Sequence, residues 1–338
     1  MDTHARTHTA AVCDDVGRLI ESATFDADCA GYRRLRCWAR RHGEIVAFGV
    51  EGTGSYGAGL ARFLAAQNEQ VIEVNPVNRQ HRRRRGKSDP ADAEAAARAV
   101  LSGEATATPR DRTGHVEAVR ALRVARRSAV AAKTVAANQI RDLIVTAPDD
   151  VRGELAGMTT AHRVKHASRW RPGEVTDART ATRTAIWRLA RRWLTLDAEA
   201  RELEAQMRVL LDQLVPSLLA EHGVSTHLAA ALVIAAGENP ERLHSEASFA
   251  ALCGTSPVPA SSGNTRRHRL NRGGDRQANS ALHVVVLHRT RRHDETRRYI
   301  ARRTEEGLSP REIRRCLKRS LARRLHRLIL HDLTHPLT

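Results

Sequence analysis

A regular spacing of apolar residues constrains the fold of this chain of 338 residues more than any other feature. Between residues 186 and 214, apolar side chains recur at alternating steps of three and four, the a/d pattern of about four heptads. The pattern predicts a long helix with one apolar seam. The seam consists of Ile186, Leu189, Trp193, Leu196, Ala200, Leu203, Met207, Leu210 and Leu214. Charged residues beside it favour a coiled coil, either between subunits or folded back on residues 115–146, over a buried helix of a bundle.

Strand and helix patterns alternate in the sequence before Pro109. Strands are predicted over residues 7–13, 19–25, 44–51 and 70–75, and helices over residues 29–42, 58–67 and 89–101. Ser88 and Pro90 fit the N-cap and the first turn of the last of these helices. Elements in this order predict an α/β sandwich.

Long helices are predicted beyond this region. Residues 115–146 are rich in alanine and predicted to be helical, whereas residues 150–180 are polar and predicted to be a linker or insertion. We therefore predict three parts: an α/β domain over residues 1–109, long helices with a coiled coil over residues 110–218, and a basic, mostly helical domain over residues 219–338.

The charge of the chain predicts a polyanionic partner. Lys and Arg outnumber Asp and Glu by 56 to 38, which gives a formal net charge of +18. Residues 263–327 hold 20 Arg or Lys and 6 Asp or Glu, so most of the excess lies there. Such a segment is typical of proteins that bind nucleic acid phosphates. Residues 223–237 also resemble a helix-hairpin-helix element, which offers amides to a phosphate, although a plain helix of small residues is the favoured interpretation.

Membrane and secreted classes are not predicted. No stretch of about 18 apolar residues is present, and the N-terminus is polar, without the pattern of a signal peptide. The five cysteines form no C-x-x-C pair, which argues against a zinc site or a disulfide framework. We therefore expect a cytoplasmic protein without membrane contacts.

Four carboxylates stand where an α/β fold could gather them. Asp2 lies near the first predicted strand, Glu51 ends the strand over 44–51, and Asp89 and Asp92 share a face of the third helix. Carboxylates suit Mg²⁺, and two such ions can clamp the attacking and leaving oxygens of a phosphodiester. Alternatively, Asp89 and Asp92 merely complement the helix dipole. The preceding loop offers cations for the substrate backbone: Arg82, Arg83, Arg84, Arg85 and Lys87.

A pair of serines precedes a run of arginines in the basic region. Ser261 and Ser262 stand directly before Gly263. A serine hydroxyl in a cationic loop can attack phosphorus, while arginines stabilise the charge of the transition state. The alternative is a flexible turn that binds phosphate passively. No base is evident by spacing, and His268 and His283 are candidates only. The arginines that could bind nucleic acid are Arg266, Arg267, Arg269, Arg272 and Arg276.

Three separated segments of the chain resemble a known family. They read VEGTGSYGAGLARFL, HRRRRGKSDPADAEAAARAVLSG and SSGNTRRHRLNRGGDRQANSALH, in this order. Together they resemble the IS110 insertion-sequence transposases, which are DEDD recombinases similar to the Piv-type invertases. The resemblance covers essentially the whole chain. It implies an N-terminal RuvC-like domain with the RNase H fold and a C-terminal transposase domain.

The same resemblance implies a site and its partners. Matched by motif, the DEDD acids are Asp2, Glu51, Asp89 and Asp92, which would bind Mg²⁺, and the nucleophile is Ser262, with Ser261 as the alternative. The implied reaction cleaves and exchanges donor and target DNA through a phosphoserine link, guided by a non-coding bridge RNA. The implied assembly is a homo-oligomer, a dimer or tetramer, in which the acidic domain of one subunit meets the serine domain of another. Such a protein would associate with the nucleoid.

The start of the chain departs from the pattern of this family. The first acid of the family lies near the end of a strand, whereas only Met1 precedes Asp2 here. We expect several apolar residues to be encoded upstream in frame, and a stop codon directly before Met1 would contradict this expectation.

Two other functions are compatible with the same residues. A metal-dependent RuvC-like nuclease, of the junction-resolvase type, would use water as the nucleophile and leave the serines passive. A catalytically dead relic would bind nucleic acid with an affinity that falls steeply with salt, yet form no Mg²⁺-dependent product.

Overall fold

The fold is that of a computed structural model, which describes residues 1–75, 88–239, 245–262 and 268–335. The chain divides into two compact units: Met1–Gly114 with Gly237–His244, and His115–Ala236 with Ser245–Thr338. The predicted long helices and the basic C-terminal region fall largely in the second unit, and their separation into two domains stays a prediction. No helix in the described ranges is long and apolar enough to cross a membrane.

The strands of the first unit meet at a short central strand. β1 (Asp2–Thr3) pairs antiparallel with β2 (Thr7–Cys13), which pairs antiparallel with β3 (Leu19–Asp26). β4 (Phe48–Glu51) pairs in parallel with β5 (Val71–Val74). The Met1 amine donates to the Gly49 carbonyl at 2.8 Å, and the Glu51 amide donates to the Met1 carbonyl at 3.1 Å. These two bonds connect the sheets, so the strands lie in the order β3-β2-β1-β4-β5.

The predicted strand over residues 44–51 forms only in its second half. β4 begins at Phe48, opposite the first residue of β5, Val71. Within the described part of the chain, residues 44–47 pair with no strand, and Val46 is 84% exposed. The prediction was wrong for this half because apolar composition does not by itself supply the hydrogen-bonding partner that a strand needs.

Three helices in the described part of the first unit lie close to their predicted positions. They are α1 (Cys29–Arg40), α2 (Ala58–Ala66) and α3 (Asp89–Leu101). The carboxylate of Asp28 caps α1 by accepting a hydrogen bond from the Gly31 amide at 2.7 Å. Ser88 occupies the N-cap position of α3, as predicted, but its side chain makes no cap hydrogen bond. Leu35 and Leu60 of α1 and α2 are fully buried and form the core with the strands.

Gly49 allows α3 to lie directly on β4. A Cβ atom at this position would come within 2.7 Å of the Val100 side chain and 3.0 Å of the Ala96 carbonyl oxygen. Atoms do not pack this closely, so any side chain would push α3 away from the strand. Because α3 carries Asp89 and Asp92, this glycine sets the position of both acids relative to β4.

Two long antiparallel helices dominate the second unit. α4 (His115–Val145) packs along α7 (Ala178–Leu214). Lys133 donates to Asp197 at 2.7 Å, and Arg126 donates to Glu204 at 2.8 Å. Every member of the predicted seam is buried or partly buried. The seam therefore folds back on α4, one of the two predicted arrangements, and coiled-coil packing stays a prediction.

Residues 150–180 are not the linker that their polarity predicts. α5 (Asp149–Leu155) and α6 (Thr160–Ala167) occupy much of this stretch. Each presents a narrow apolar face, and these faces join the core of α4 and α7 through Leu155 and Val164. Trp170, which follows α6, is buried in the same core. The prediction was wrong because a helix with only two buried positions looks polar in composition.

The remaining described residues of the second unit form helices and one hairpin, joined by short connections. These helices are α8 (Pro216–Ala220), α9 (Thr226–Ala236), α10 (Glu246–Leu252), α11 (Arg276–Arg292), α12 (Asp294–Glu305) and α13 (Pro310–Thr334). The hairpin pairs β6 (Val258–Pro259) with β7 (His268–Arg269). α9 is buried along most of its length, as expected for a helix that is apolar on every side.

A buried ion pair holds the segment after α8 to α11. The side chains of Glu221 and Arg289 are only 9% and 8% exposed, and Arg289 donates to the Glu221 carboxylate. Arg324 approaches the same carboxylate at 3.0 Å. Burial alone would raise the pKa of Glu221, but the two arginines together lower it. The carboxylate is therefore charged in the folded protein and compensates Arg289.

We expect Glu221→Gln to destabilise the protein by about 3–5 kcal/mol, because Arg289 would stay buried without its counter-charge. Urea denaturation at neutral pH measures this loss, and Glu199→Gln, an exposed change on α7, is the control. Folding lowers the pKa of Glu221. The contribution of this carboxylate to the free energy of unfolding is therefore complete above the unfolded pKa of about 4.3 and is lost in acid. The difference in free energy of unfolding between wild type and Glu221→Gln should therefore become smaller at low pH. A difference that does not depend on pH would contradict this account.

Candidate active site

Asp2 and Glu51 lie side by side on neighbouring strands. Asp2 begins β1, and Glu51 ends β4. The Thr3 hydroxyl donates to the Glu51 carbonyl at 2.9 Å, in addition to the bond between the Glu51 amide and Met1. Directly after Glu51, Gly52 has a φ of +66°, which side chains disfavour and which turns the chain out of the sheet. The sequence thus places both acids at the same edge of the sheet.

His4 connects Asp2 to Asp89. Its Nε2 atom lies 3.0 Å from Oδ2 of Asp2 and 3.5 Å from Oδ1 of Asp89. The ligand atoms of these three residues all lie within 4.8 Å of one another. The Asp2 side chain is 12% exposed, whereas His4 and Asp89 are 45% and 49% exposed. One carboxylate is therefore anchored in the fold while the other two groups remain accessible to solvent.

Glu51 and Asp92 flank this group without joining it. Asp92 lies three residues after Asp89, in the first turn of α3, and is 6% exposed. α3 packs on β1, β2 and β4, which brings the helix-borne acids to the strand-borne ones. Among the described residues, the only cluster of converging metal-ligand atoms consists of Asp2, His4 and Asp89. The structure therefore brings two of the four predicted acids together and places the others on the adjoining elements.

The sequence reasoning missed His4. In an extended segment, residues two apart point to the same side. His4 is two residues after Asp2 and follows β1 directly, so this spacing was the signal that could have identified it.

The donor set of this cluster fits a divalent cation. Carboxylate oxygens are ligands for hard cations such as Mg²⁺ and Mn²⁺, whereas an imidazole nitrogen suits softer metals. Asp2 and Asp89 could therefore hold such a cation between them. His4 offers a polar contact to each carboxylate and a less suitable ligand for Mg²⁺.

The two predicted nucleophiles lie in the hairpin of the second unit. Ser261 and Ser262 follow β6 and are exposed. Of the arginines predicted to bind nucleic acid, the described ones are also exposed: Arg269, Arg272 and Arg276. The others lie outside the described residues: Arg82, Arg83, Arg84, Arg85, Lys87, Arg266 and Arg267.

A cationic cavity of about 720 Å³ lies beside the hairpin. β7 and α13 contribute most of its charged lining. The charged and titratable lining residues are His268, Arg269, Glu312, Arg315, Lys318 and Arg319. Cations outnumber carboxylates in this lining, and the volume is typical of sites that hold a small organic ligand. The cavity could therefore accept a phosphodiester together with its sugar or base.

Lys318 is fixed in the wall of this cavity. Its Nζ atom donates to Oδ1 of Asn279 at 2.5 Å, and Nδ2 of Asn279 donates to the Cys253 carbonyl at 2.7 Å. Burial lowers the pKa of Lys318. The sequence reasoning missed this lysine and Arg315, although their spacing of three places them on one face of α13. Nothing local in the sequence indicates that this face meets the serine hairpin.

Comparison with known protein families assigns the chain to a family. The transposase model for IS110 proteins with the DEDD motif matches residues 1–147, which include the four predicted acids. The model described as the transposase IS116/IS110/IS902 family matches residues 217–301, which include the serine hairpin. No curated protein matches the chain. Since both models describe the same family, match in the expected order and cover about two thirds of the residues, the chain belongs to the IS110 family of insertion-sequence transposases.

Proposed function

We propose that this transposase cleaves and exchanges DNA strands through Ser262, with Mg²⁺ held by the acidic residues of the first unit. The observation that carries the proposal is the approach of Asp2 and Asp89, which are far apart in sequence, to within 4.8 Å around His4. Gathering carboxylates costs electrostatic repulsion, which a bound cation relieves. We assign Glu51 and Asp92 to the same metal site, because they lie on the strand and the helix that carry its neighbours.

The strand order supports a RuvC-like domain with the RNase H fold. Three antiparallel strands continue through β1 into two parallel strands, and the acids lie on β1, on β4 and at the start of α3. In this arrangement the central strands present their acids to a substrate at one edge of the sheet. We propose this fold for the first unit.

We propose that the Ser262 hydroxyl attacks a DNA phosphorus atom. The serine loses its proton, for which His268 of the same hairpin is our candidate acceptor, and a bond from phosphorus to a strand oxygen breaks. The proton then moves to that leaving oxygen, and the phosphate stays esterified to Ser262 until a hydroxyl of the other strand displaces it. Arg269, Arg315 and Lys318 would neutralise the phosphate oxygens as charge develops. Bound Mg²⁺ would supply further charge neutralisation and a less basic leaving oxygen.

We propose a guide RNA and a homo-oligomer as partners. The charge of the chain exceeds what one duplex contact needs, since it is +18 in total. The acids and the serines lie in different compact units, so a dimer or tetramer could join the acidic unit of one subunit to the serine unit of another. Such a complex would act at the nucleoid.

A strand-exchange assay tests the proposed function. Purified protein is incubated with its flanking non-coding transcript, donor and target duplexes and Mg²⁺, and joined products are sequenced. We expect recombinant junctions that require the duplexes, the transcript and Mg²⁺ together. Binding without any Mg²⁺-dependent product would identify a catalytically dead protein, and cleavage without joining would indicate a nuclease.

A further inference from the structure

A second cavity of the second unit lies where α4, α9 and α11 meet. Its volume is about 310 Å³, and α7 contributes one residue, Glu204. The polar lining residues are Arg123, Arg126, Glu204, Ser225, His227, Gln277 and Ser280. It shares no lining residue with the cavity beside the serine hairpin. Its function is therefore a separate question from that of Ser262.

Arg123 is a buried cation at this cavity. The residue is only 6% exposed, and its Nη2 atom donates to Oε1 of Gln277 at 3.3 Å. Its Nε atom is buried without a hydrogen-bond partner in the described ranges. Among the described residues, no carboxylate comes within 4.0 Å of its guanidinium. Since buried charges in proteins are normally paired, Arg123 calls for an anion that the described residues do not provide.

Two further groups at the cavity favour an anion. Arg126 donates to Nδ1 of His227 at 3.3 Å and to Glu204 at 2.8 Å. Its own Nε atom is buried and has no hydrogen-bond partner among the residues that the structure describes. Because the arginine donates to Nδ1, the proton of neutral His227 is on Nε2, which can donate in turn. Ser225 and His227 stand at the N-terminal end of α9, where the helix dipole attracts negative charge.

The charges around the cavity are positive in sum. α4 brings Arg123 and Arg126, with Arg127 nearby, whereas α7 brings Glu204. The lining of α11 is neutral, and Asp275, which precedes that helix, partly offsets the positive charge around Arg123. Burial, followed by the charges of Arg123 and Arg126, lowers the pKa of His227 to about 4. The imidazole is therefore neutral at pH 7, and the cavity lacks one or two negative charges.

We propose that this cavity is an anion site that takes one phosphate group, bound by Arg123, Arg126 and Nε2 of His227. The group is tetrahedral and accepts hydrogen bonds on every side, which matches donors converging from two helices. The volume leaves room for the sugar of a nucleic acid backbone or for the hydration of free phosphate. The site rests on Arg123 and does not depend on the chemistry proposed for Ser262.

A thermal unfolding experiment tests the site with inorganic phosphate as the probe. Wild type, Arg123→Gln and Arg141→Gln are compared in sodium phosphate and in sodium chloride of equal ionic strength. Arg141 is exposed on the same helix, beside Asp142, and controls for the loss of one charge. We expect phosphate to raise the Tm of wild type and Arg141→Gln by several degrees and to leave Arg123→Gln unchanged. An equal shift in all three proteins, or no shift in wild type, would overturn the proposal.

A measurement on wild type alone keeps the test independent of how the variant folds. Phosphate bound at this site should move the imidazole NMR signals of His227 and raise its pKa from about 4 toward its ordinary value. Signals of His227 that do not respond to phosphate would overturn the proposal.

Measurements of duplex binding distinguish a phosphate of the nucleic acid backbone from a free phosphate ion as the ligand of this site. If the site holds a backbone phosphate, Arg123→Gln should weaken binding of a short duplex at least about tenfold more than Arg141→Gln does, and reduce the salt dependence accordingly. If both variants weaken binding equally while the phosphate response of wild type remains, the site binds a free anion.

Discussion

Replacing Ser262 by alanine is expected to abolish strand exchange. Loss of an attacking nucleophile lowers the rate of a covalent mechanism by at least about 10³-fold. The hydroxyl is exposed in the hairpin, so its removal should not change packing or the Tm. Product formation in the strand-exchange assay measures the effect, and DNA binding measured in parallel should stay within about twofold of wild type.

Ser261→Ala is the matched control for this prediction. It removes the same hydroxyl from the neighbouring position of the same exposed loop. We expect it to retain strand exchange within about threefold, because a hydroxyl must be oriented toward the phosphorus atom, and not only lie near it, to attack. Normal exchange by Ser262→Ala with loss in Ser261→Ala would transfer the role to Ser261. Normal exchange by both variants would favour water as the nucleophile, as in a junction-resolving nuclease.

The second large effect is expected from Asp89→Asn. The change preserves the shape of the side chain but removes one of the two charges that converge with His4. We expect a loss of about 10²–10³-fold in Mg²⁺-dependent cleavage, because charge neutralisation at the scissile phosphate contributes several kcal/mol. Raising the Mg²⁺ concentration should recover part of the loss, since the variant retains Asp2. Rates across a Mg²⁺ titration measure both effects.

Glu94→Gln is the control for this second prediction. Glu94 lies on α3 with Asp89, but its carboxylate pairs with Arg98 at 2.5 Å. A nearly equal loss in both variants would show that the negative charge of α3, rather than the position of Asp89, affects the rate. The double variant Asp89→Asn with Ser262→Ala should be no worse than Ser262→Ala, because the proposed mechanism places both groups in one reaction.

The sequence predicts the helices of this protein better than its short strands. Helix α3 follows from Ser88, Pro90 and the pair Asp89 and Asp92, because caps and helix faces are local properties. β4 was predicted too long, since strand pairing depends on where β5 begins. Residues 150–180 were predicted as a linker because their two short helices bury so few residues that the composition of the segment stays polar.

The residues of the candidate sites also fall into a group that the sequence predicted and a group that it did not. The sequence motifs and the family resemblance that they carry predicted Asp2, Asp89 and Ser262 but left out His4 and Lys318. His4 lies in the turn between β1 and β2, and Lys318 is held in the wall of its cavity by Asn279 of another helix. Arg123 shows the same limit more clearly, since a charged residue in a helix gives no sign in the sequence that it is buried.

The most direct test of the central proposal is to locate DNA on the protein during exchange. The reaction with wild type is stopped by denaturation, the DNA and the protein are digested, and nucleotide-modified peptides are identified by mass spectrometry. We predict a nucleotide esterified to Ser262, formed in the presence of Mg²⁺ and reduced in parallel with product in Asp89→Asn. Recombinant product without modified peptide, or with the nucleotide on any other residue, would contradict the proposed mechanism.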